Sequence, residues 1–335
     1  MANKVVRSTV MLLTLTVLTL PLFLASAAPT TLAAGASLTL VAYSTPAAAY
    51  AQIIPAFQQT KAGQDVTFTQ SYGPSTDQSH AVANGLHADI VAFSLAPDIT
   101  ALVQKGMVSA SWTKTLYHGF VTDSLVVFAV RKGNPKHIKT WNDLLKSGID
   151  VITPNPVSSG SARWNIMAAY GAQIAQHKTK AQGVVYLTKL FSHVSVQDKS
   201  GSAALQTFAN GKGDVLLTYE NEAIGAQQKG VSLDYVVPPQ TILIENPVAV
   251  TKETKFPTQA KAFVQFLTSR TAQRLFAENG YRPVRKEVMN AFTFRKPNTV
   301  FTIGKLGGWN KVQSEFFDPQ KGIVIKIERS KGVAP

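Results

Sequence analysis

The sequence predicts an α/β protein with two lobes, and two observations support this. Strand-like and helix-like periodicities alternate along the 335-residue chain, as in Ser37–Tyr43, Ala47–Thr60 and Val66–Gln70. The chain is also long enough for two lobes that each have a hydrophobic core. The alternation is typical of a parallel sheet with helices on its faces, whose ligands bind at the carboxyl ends of the strands.

Residues 1–27 are predicted to be a secretory signal peptide that is removed. Lys4 and Arg7 precede the apolar stretch Val10–Leu24, and Ala25–Ala27 fits the small-residue cleavage pattern. The chain contains no cysteine, which excludes disulfides, thiolate catalysis, cysteine metal sites and lipid attachment through cysteine. We expect a soluble product in the periplasm.

The mature chain is strongly basic. Its formal charge is about +12, because removal of Lys4 and Arg7 takes two charges from the +14 of the full sequence. The basic residues are scattered and the protein is exported, so nucleic acid is not an expected partner. A cationic field that attracts anions, or adaptation to an acidic medium, explains the charge better.

The most informative stretch is Val151–Gln173. A short strand meets Pro154 and Pro156, a turn of small residues follows at Ser158–Ser161, and a helix begins near Ala162. Free N–H groups, hydroxyls and the helix dipole would meet there and suit a small anion. An ordinary serine cap at a helix start remains the alternative.

The same pattern recurs elsewhere in the chain. Small polar residues also follow predicted strands at Ser44, at Ser75 and at Gly201-Ser202. Several such turns at one cleft would form a pocket rich in hydrogen-bond donors that needs no cationic side chain.

Other expectations concern local structure and chemistry. We expect the helix after Ser161 to continue to about Leu190, Ala260–Glu278 to form one amphipathic helix, and the tail beyond Phe316 to be loosely held. Glu220 and Glu222 are interpreted as helix-start residues that face away from the anion. The six histidines lack metal-site spacing, and phosphate-loop, dinucleotide and nucleophile-elbow motifs are missing, so no cofactor is expected.

Three segments together resemble the periplasmic sulfate-binding proteins of ABC importers over essentially the whole mature chain. They are VFAVRKGNPKHIKTWNDLLKSGIDVITPNPVSSGSARWNIMAAYGA, GKGDVLLTYENEA and NGYRPV. The resemblance implies a type II periplasmic binding protein, with two α/β lobes joined by a hinge and a dehydrated sulfate held between them. It also implies delivery to a membrane permease, no enzymatic chemistry and a monomeric protein.

The resemblance also implies anion contacts. Ser75 matches a serine that uses its backbone N–H, Ser159 a hydroxyl donor and Gly160 a backbone donor, while Arg163 matches an arginine that supports the site from behind. Five positions depart from the family: Ser44 replaces an aspartate, Ser161 a glycine, Gly201 an alanine, Ser202 an arginine and Tyr219 a tryptophan that donates its indole N–H.

Tyr219 matters most among these departures, because a phenol accepts hydrogen bonds as well as donating them. Thiosulfate, phosphate or molybdate are therefore alternatives to sulfate, and a secreted enzyme that uses Glu220 or Glu222 is a further one. The expected lobes are residues 36–121 with 241–335, and residues 122–240. The expected hinges lie near Gly119–Asp123 and Val237–Ile242.

Overall fold

The computed structural model describes residues 1–2 and 35–332. The predicted signal peptide lies outside these residues except for Met1 and Ala2. None of the helices in the described part of the chain is both long and apolar enough to cross a membrane.

The described chain contains one large sheet. Eight of its strands lie in the order β2-β1-β3-β9-β4-β7-β5-β6, and β8, β10 and β11 pair at its sides. In chain order the strands are β1 (Ala36–Tyr43), β2 (Val66–Gly73), β3 (Ile90–Ala92), β4 (Phe120–Arg131), β5 (Val151–Pro154), β6 (Val194–Asp198), β7 (Val215–Tyr219), β8 (Leu233–Val236), β9 (Gln240–Val250), β10 (Arg282–Pro283) and β11 (Thr299–Phe301).

Helices cover the faces of this sheet. They are α1 (Ala47–Gln58), α2 (Ser75–Ala83), α3 (Ala96–Gln104), α4 (Gly160–Ala175), α5 (Lys180–Phe191), α6 (Gly201–Ala209), α7 (Glu220–Gln228), α8 (Pro257–Leu267), α9 (Arg270–Glu278), α10 (Lys286–Met289), α11 (Gly308–Phe316) and α12 (Ile323–Ser330). Short 3-10 segments lie at Leu116–Gly119, Trp141–Leu145 and Ile303–Leu306.

The sheet is mixed rather than wholly parallel. At one end β2, β1 and β3 are parallel, and at the other end β6, β5 and β7 are parallel. The prediction of a parallel sheet is wrong for the middle, where the long strands β4 and β9 run antiparallel to their neighbours. They carry the chain between the two ends, which we call the β1 side and the β5 side.

Each side has its own hydrophobic core. On the β1 side, the buried Leu38 and Leu40 pack with Tyr50 and Phe57 of α1 and with Phe263 of α8. On the β5 side, Val151 packs with Trp164 and Tyr170 of α4 and with Leu187 of α5. The predicted α/β architecture with two lobes is therefore confirmed, while the residue boundaries of the lobes stay a prediction.

Two predicted long helices are each broken into two. The stretch after Ser161 forms α4 and α5, because His177 has a φ of 62° and Thr179 caps a new helix by accepting from the Gln182 backbone N–H at 3.2 Å. In the same way, Ser269 accepts from the Ala272 N–H at 3.2 Å and starts α9 after α8. The apolar periodicity continues across both breaks, so the sequence pattern does not indicate where one helix ends and the next begins.

The expectation of a loosely held tail is also wrong. The segment beyond Phe316 includes α12, and its Val324 and Ile327 are buried in the core that contains Trp164 and Tyr170. The basic residues Lys326 and Arg329 are exposed on the opposite face of this helix. The tail therefore packs on the core of the β5 side.

Candidate functional site

A very small cavity of about 10 Å³ lies where the carboxyl ends of the parallel strands on the two sides face each other. We call it the serine cleft. Every residue that lines it is neutral: Tyr43, Ser44, Thr45, Gly73, Pro74, Ser75, Ser94, Ser159, Gly160, Ser161, Ser200 and Gly201.

The structure brings together most of the residues singled out from the sequence. The lining includes Ser44, Ser75, Ser159, Gly160, Ser161 and Gly201. Tyr219 and Arg163 are outside the lining. Whether these residues contact an anion stays a prediction.

Three helices begin at the serine cleft. Ser75 is the first residue of α2, Gly160 of α4 and Gly201 of α6. The first N–H groups of a helix have no acceptor within the helix, and the helix dipole places partial positive charge there. The three helix starts therefore direct backbone donors and positive potential at one small space, without any cationic side chain in its lining.

A buried network fixes the position of Ser75. Its Oγ donates to Asp98 Oδ2 at 2.6 Å and accepts from the Ser94 backbone N–H at 2.9 Å. Thr76 Oγ1 donates to Asp98 Oδ1 at 3.2 Å. The Ser75 hydroxyl proton is thus committed to Asp98, and the donor that Ser75 retains for the cleft is its backbone N–H.

Arg163 lies behind this network. Its Nε donates to the Pro156 carbonyl at 2.9 Å and its Nη1 to Gln313 Oε1 at 3.2 Å. Burial raises the pKa of Asp98 and the charge of Arg163 lowers it. Burial also lowers the pKa of Arg163, against the effect of Asp98. Each group thus offsets part of the cost of burying the other's charge.

Hydroxyls also join the two sides of the cleft. Ser202 Oγ donates to Ser44 Oγ at 3.0 Å, and the Thr76 N–H donates to the Ser158 carbonyl at 3.2 Å. Within the β5 side, Ser159 Oγ and Ser161 Oγ share a hydrogen bond of 2.8 Å. These contacts across the cleft describe a closed arrangement of its walls.

Tyr219 lies one layer behind the lining. It is fully buried, and its phenol oxygen is 2.6 Å from the Oγ of Ser94, which does line the cleft. Burial raises the pKa of Tyr219 well above its ordinary value, so the phenol is protonated. Sequence reasoning missed Ser94, although Ser94 is a small polar residue that follows β3 closely, as Ser44 follows β1.

The expectation that Glu222 faces away from the cleft is wrong. A Cβ added at Gly201 would meet its Oε2 at 2.9 Å and its Oε1 at 3.0 Å, so its carboxyl lies directly behind a residue of the lining. Thr45 donates to Oε1 at 3.1 Å and Thr218 to Oε2 at 2.6 Å. Burial raises the pKa of Glu222, and these hydrogen bonds oppose the rise.

Glu220 has a different environment. Its Oε2 accepts from Arg282 Nε at 2.6 Å in a buried ion pair, and its Oε1 accepts from Arg282 Nη2 at 3.1 Å. Because Arg282 belongs to β10, this ion pair ties Glu220 to β10, and Glu220 is not part of the cleft lining. The two glutamates therefore do not form a facing carboxylate pair.

Comparison with known proteins agrees with the fold. The family model described as "Bacterial extracellular solute-binding protein" matches residues 38–282. A sulfate-binding protein from Synechococcus elongatus is 43% identical over 290 residues, which are 83% of each chain. A thiosulfate-binding protein from Pseudomonas aeruginosa is 36% identical over 282 residues, covering 80% of this chain and 85% of that one.

A solved structure gives the same result. The sulfate-binding protein SubI from Mycobacterium tuberculosis is 43% identical, with a TM-score of 0.82 over 84% of this chain and 100% of that chain. The two-lobed fold and the neutral cleft agree with a solute-binding protein, and the chain belongs to the family of bacterial extracellular solute-binding proteins. Within that family, its relatives include sulfate-binding and thiosulfate-binding proteins.

Proposed function

We propose that this protein captures sulfate in the serine cleft and delivers it to an ABC importer. The observation that carries the proposal is the composition of the cleft, whose twelve lining residues are all neutral and whose walls include three helix starts. Neutral donors of this kind replace the water around a small dianion without forming an ion pair. The sulfate-binding relatives support the choice of anion.

A site made of donors favours fully ionised sulfate over hydrogen phosphate. The phosphate proton would need an acceptor in the cleft, and a buried polar mismatch of this kind costs about 1–3 kcal/mol. Ser75 donates its hydroxyl proton to Asp98, so this carboxylate is occupied by protein donors. Glu222 likewise accepts from two threonine hydroxyls.

Binding would follow from closure of two lobes about β4 and β9, the strands that join the two sides of the sheet. We assign residues 36–121 and 241–335 to one lobe and 122–240 to the other, with the C-terminal segment packed across onto the core of the β5 side. The anion stabilises the closed form because donors from both sides surround it only there.

The protein would act as a monomer in the periplasm after removal of residues 1–27, and its partner would be the permease of the importer. Membership of an extracellular solute-binding family supports export. The excess of basic residues would favour the arrival of anions in general rather than of one anion.

Thiosulfate is the second candidate ligand. It has the tetrahedral shape of sulfate, and a thiosulfate-binding protein is among the relatives. Isothermal titration of the mature protein with sulfate, thiosulfate, phosphate and molybdate tests both candidates. Tight binding of sulfate with no heat from phosphate is the expected result. No binding of any of the four anions would refute the proposal.

An enzymatic role for the glutamates is tested separately. Because Glu220 is ion-paired and Glu222 is bonded to hydroxyls, we expect neither carboxylate to perform chemistry on the ligand. Glu222→Gln should retain sulfate binding measured by titration. A turnover of bound anion that disappears in this variant would contradict the proposal.

A further inference from the structure

Ser94 lines the serine cleft and forms hydrogen bonds with residues of both sides. It is 1% exposed and follows β3, so it belongs to the β1 side, yet its carbonyl and its hydroxyl contact the β5 side. Its carbonyl accepts from Trp164 Nε1 at 2.9 Å, and its N–H donates to Ser75 Oγ. These two hydrogen bonds hold the backbone of Ser94 in place, so the position of its side chain beside the cleft is well defined.

The direction of the hydrogen bond between Ser94 and Tyr219 follows from the remaining partners. Among the described residues, Ser94 Oγ, at 2.6 Å, is the hydrogen-bond partner found for the Tyr219 phenol oxygen. The phenol is fully buried, and a buried donor without an acceptor is strongly unfavourable. Tyr219 is therefore assigned as the donor to Ser94 Oγ, and with this assignment the Ser94 proton is free to point into the cleft.

We propose that Ser94 is an anion-binding residue of this cleft and that Tyr219 acts through it as a positioning residue. The inference rests on the proposed function and names a specificity-determining residue of the same site. Tyr219 then donates to Ser94, and Ser94 donates to the anion. A tyrosine in direct contact with the anion would instead present an oxygen that can either donate or accept. The pair therefore keeps the cleft selective for an anion without a proton.

The consequences of substitution differ for the two residues. Ser94→Ala removes a hydrogen bond to a charged ligand, so sulfate affinity should fall about 10- to 100-fold. Tyr219→Phe leaves the Ser94 hydroxyl in place but free to turn, so sulfate affinity should fall only about 2- to 5-fold. In this variant the ratio of sulfate affinity to phosphate affinity should fall by more than this factor, because loss of the phenol frees a lone pair of Ser94 Oγ and lets the hydroxyl turn to accept the phosphate proton.

Titration of the full mature protein with sulfate and with inorganic phosphate measures these effects. The double variant Ser94→Ala with Tyr219→Phe leaves no unpaired phenol, and it should bind sulfate as weakly as Ser94→Ala alone. Ser94→Cys keeps a weak donor of similar size and should give an intermediate affinity. Ser79→Ala is the matched control, because Ser79 is a buried serine outside the lining that donates to the Asp98 carbonyl.

The outcomes separate this inference from the proposed function. If the unmodified protein binds none of the anions, the proposed function fails. If the unmodified protein binds sulfate and Ser94→Ala binds it within twofold, the assignment of Ser94 is overturned. A larger loss for Tyr219→Phe than for Ser94→Ala would also overturn it, because Tyr219 would then contact the anion directly.

Discussion

Replacement of Gly160 by alanine should weaken anion binding while leaving the fold stable. Gly160 is the first residue of α4, and an added Cβ would lie 2.8 Å from Ser94 Oγ, 2.9 Å from Ser94 Cβ and 2.9 Å from Leu95 Cγ. Ser94 and Leu95 follow β3 on the other side of the cleft. The new methyl group would therefore collide across the cleft in its closed form.

The size of the effect follows from these distances. Ordinary contacts to a Cβ are 3.4–4 Å, so the two walls would have to separate by several tenths of an ångström. Excess volume in a packed region costs about 1–3 kcal/mol, which corresponds to an affinity loss of about 5- to 150-fold. An open form avoids the collision, so the free energy of unfolding of the anion-free protein should change by less than about 1 kcal/mol.

Isothermal titration with sulfate and urea unfolding without sulfate measure the two quantities. Gly225→Ala in α7 is the matched control, because no heavy atom lies within 4 Å of a Cβ added there. This control should keep its affinity. Sulfate affinity of Gly160→Ala within twofold of the unmodified protein would refute the argument. If anion-free Gly160→Ala lost as much unfolding free energy as it lost binding free energy, the collision would also be present without sulfate, and the cleft would not open to relieve it.

Three further predictions concern the cleft, the joining strands and the tail. Gly201→Ala should lower sulfate affinity at least tenfold in the same titration, since its Cβ would lie 2.9 Å from Ser161 Oγ and from Glu222 Oε2; unchanged affinity would contradict it. Burial and the facing Glu245 raise the pKa of Asp123 to about 7. The unfolded chain therefore loses this proton first, and stability should fall between about pH 4 and pH 7. Urea unfolding at about pH 4 and pH 7 measures this fall, which should be smaller in Asp123→Asn. The same fall in the variant and in the unmodified protein would refute the prediction. Ile327→Ala should cost about 2–4 kcal/mol of unfolding free energy, because Ile327 is buried in the core; a cost below about 0.5 kcal/mol would mean that α12 is not held there.

The sequence by itself determined the α/β architecture and the chemistry of the cleft wall. Apolar periodicity predicted β1, α1 and β2 closely. Small polar residues after predicted strands indicated that Ser44, Ser75 and Gly160 would meet at one cleft, and all three line the serine cleft. Both signals are local: side-chain periodicity reports which face is buried, and a small residue after a strand reports a helix start. Parallel strands then bring their carboxyl ends to one edge.

The tertiary structure decided the contacts between segments that are distant in the chain. The antiparallel course of β4 and β9, the packing of α12 on the core, and the place of Glu222 behind Gly201 depend on neighbours that no local pattern reveals. The clearest case is the hydrogen bond of Tyr219, which the sequence did not indicate. Its phenol meets Ser94 across 125 residues of sequence, and hydrogen bonds depend on the distance between atoms rather than on the order of residues.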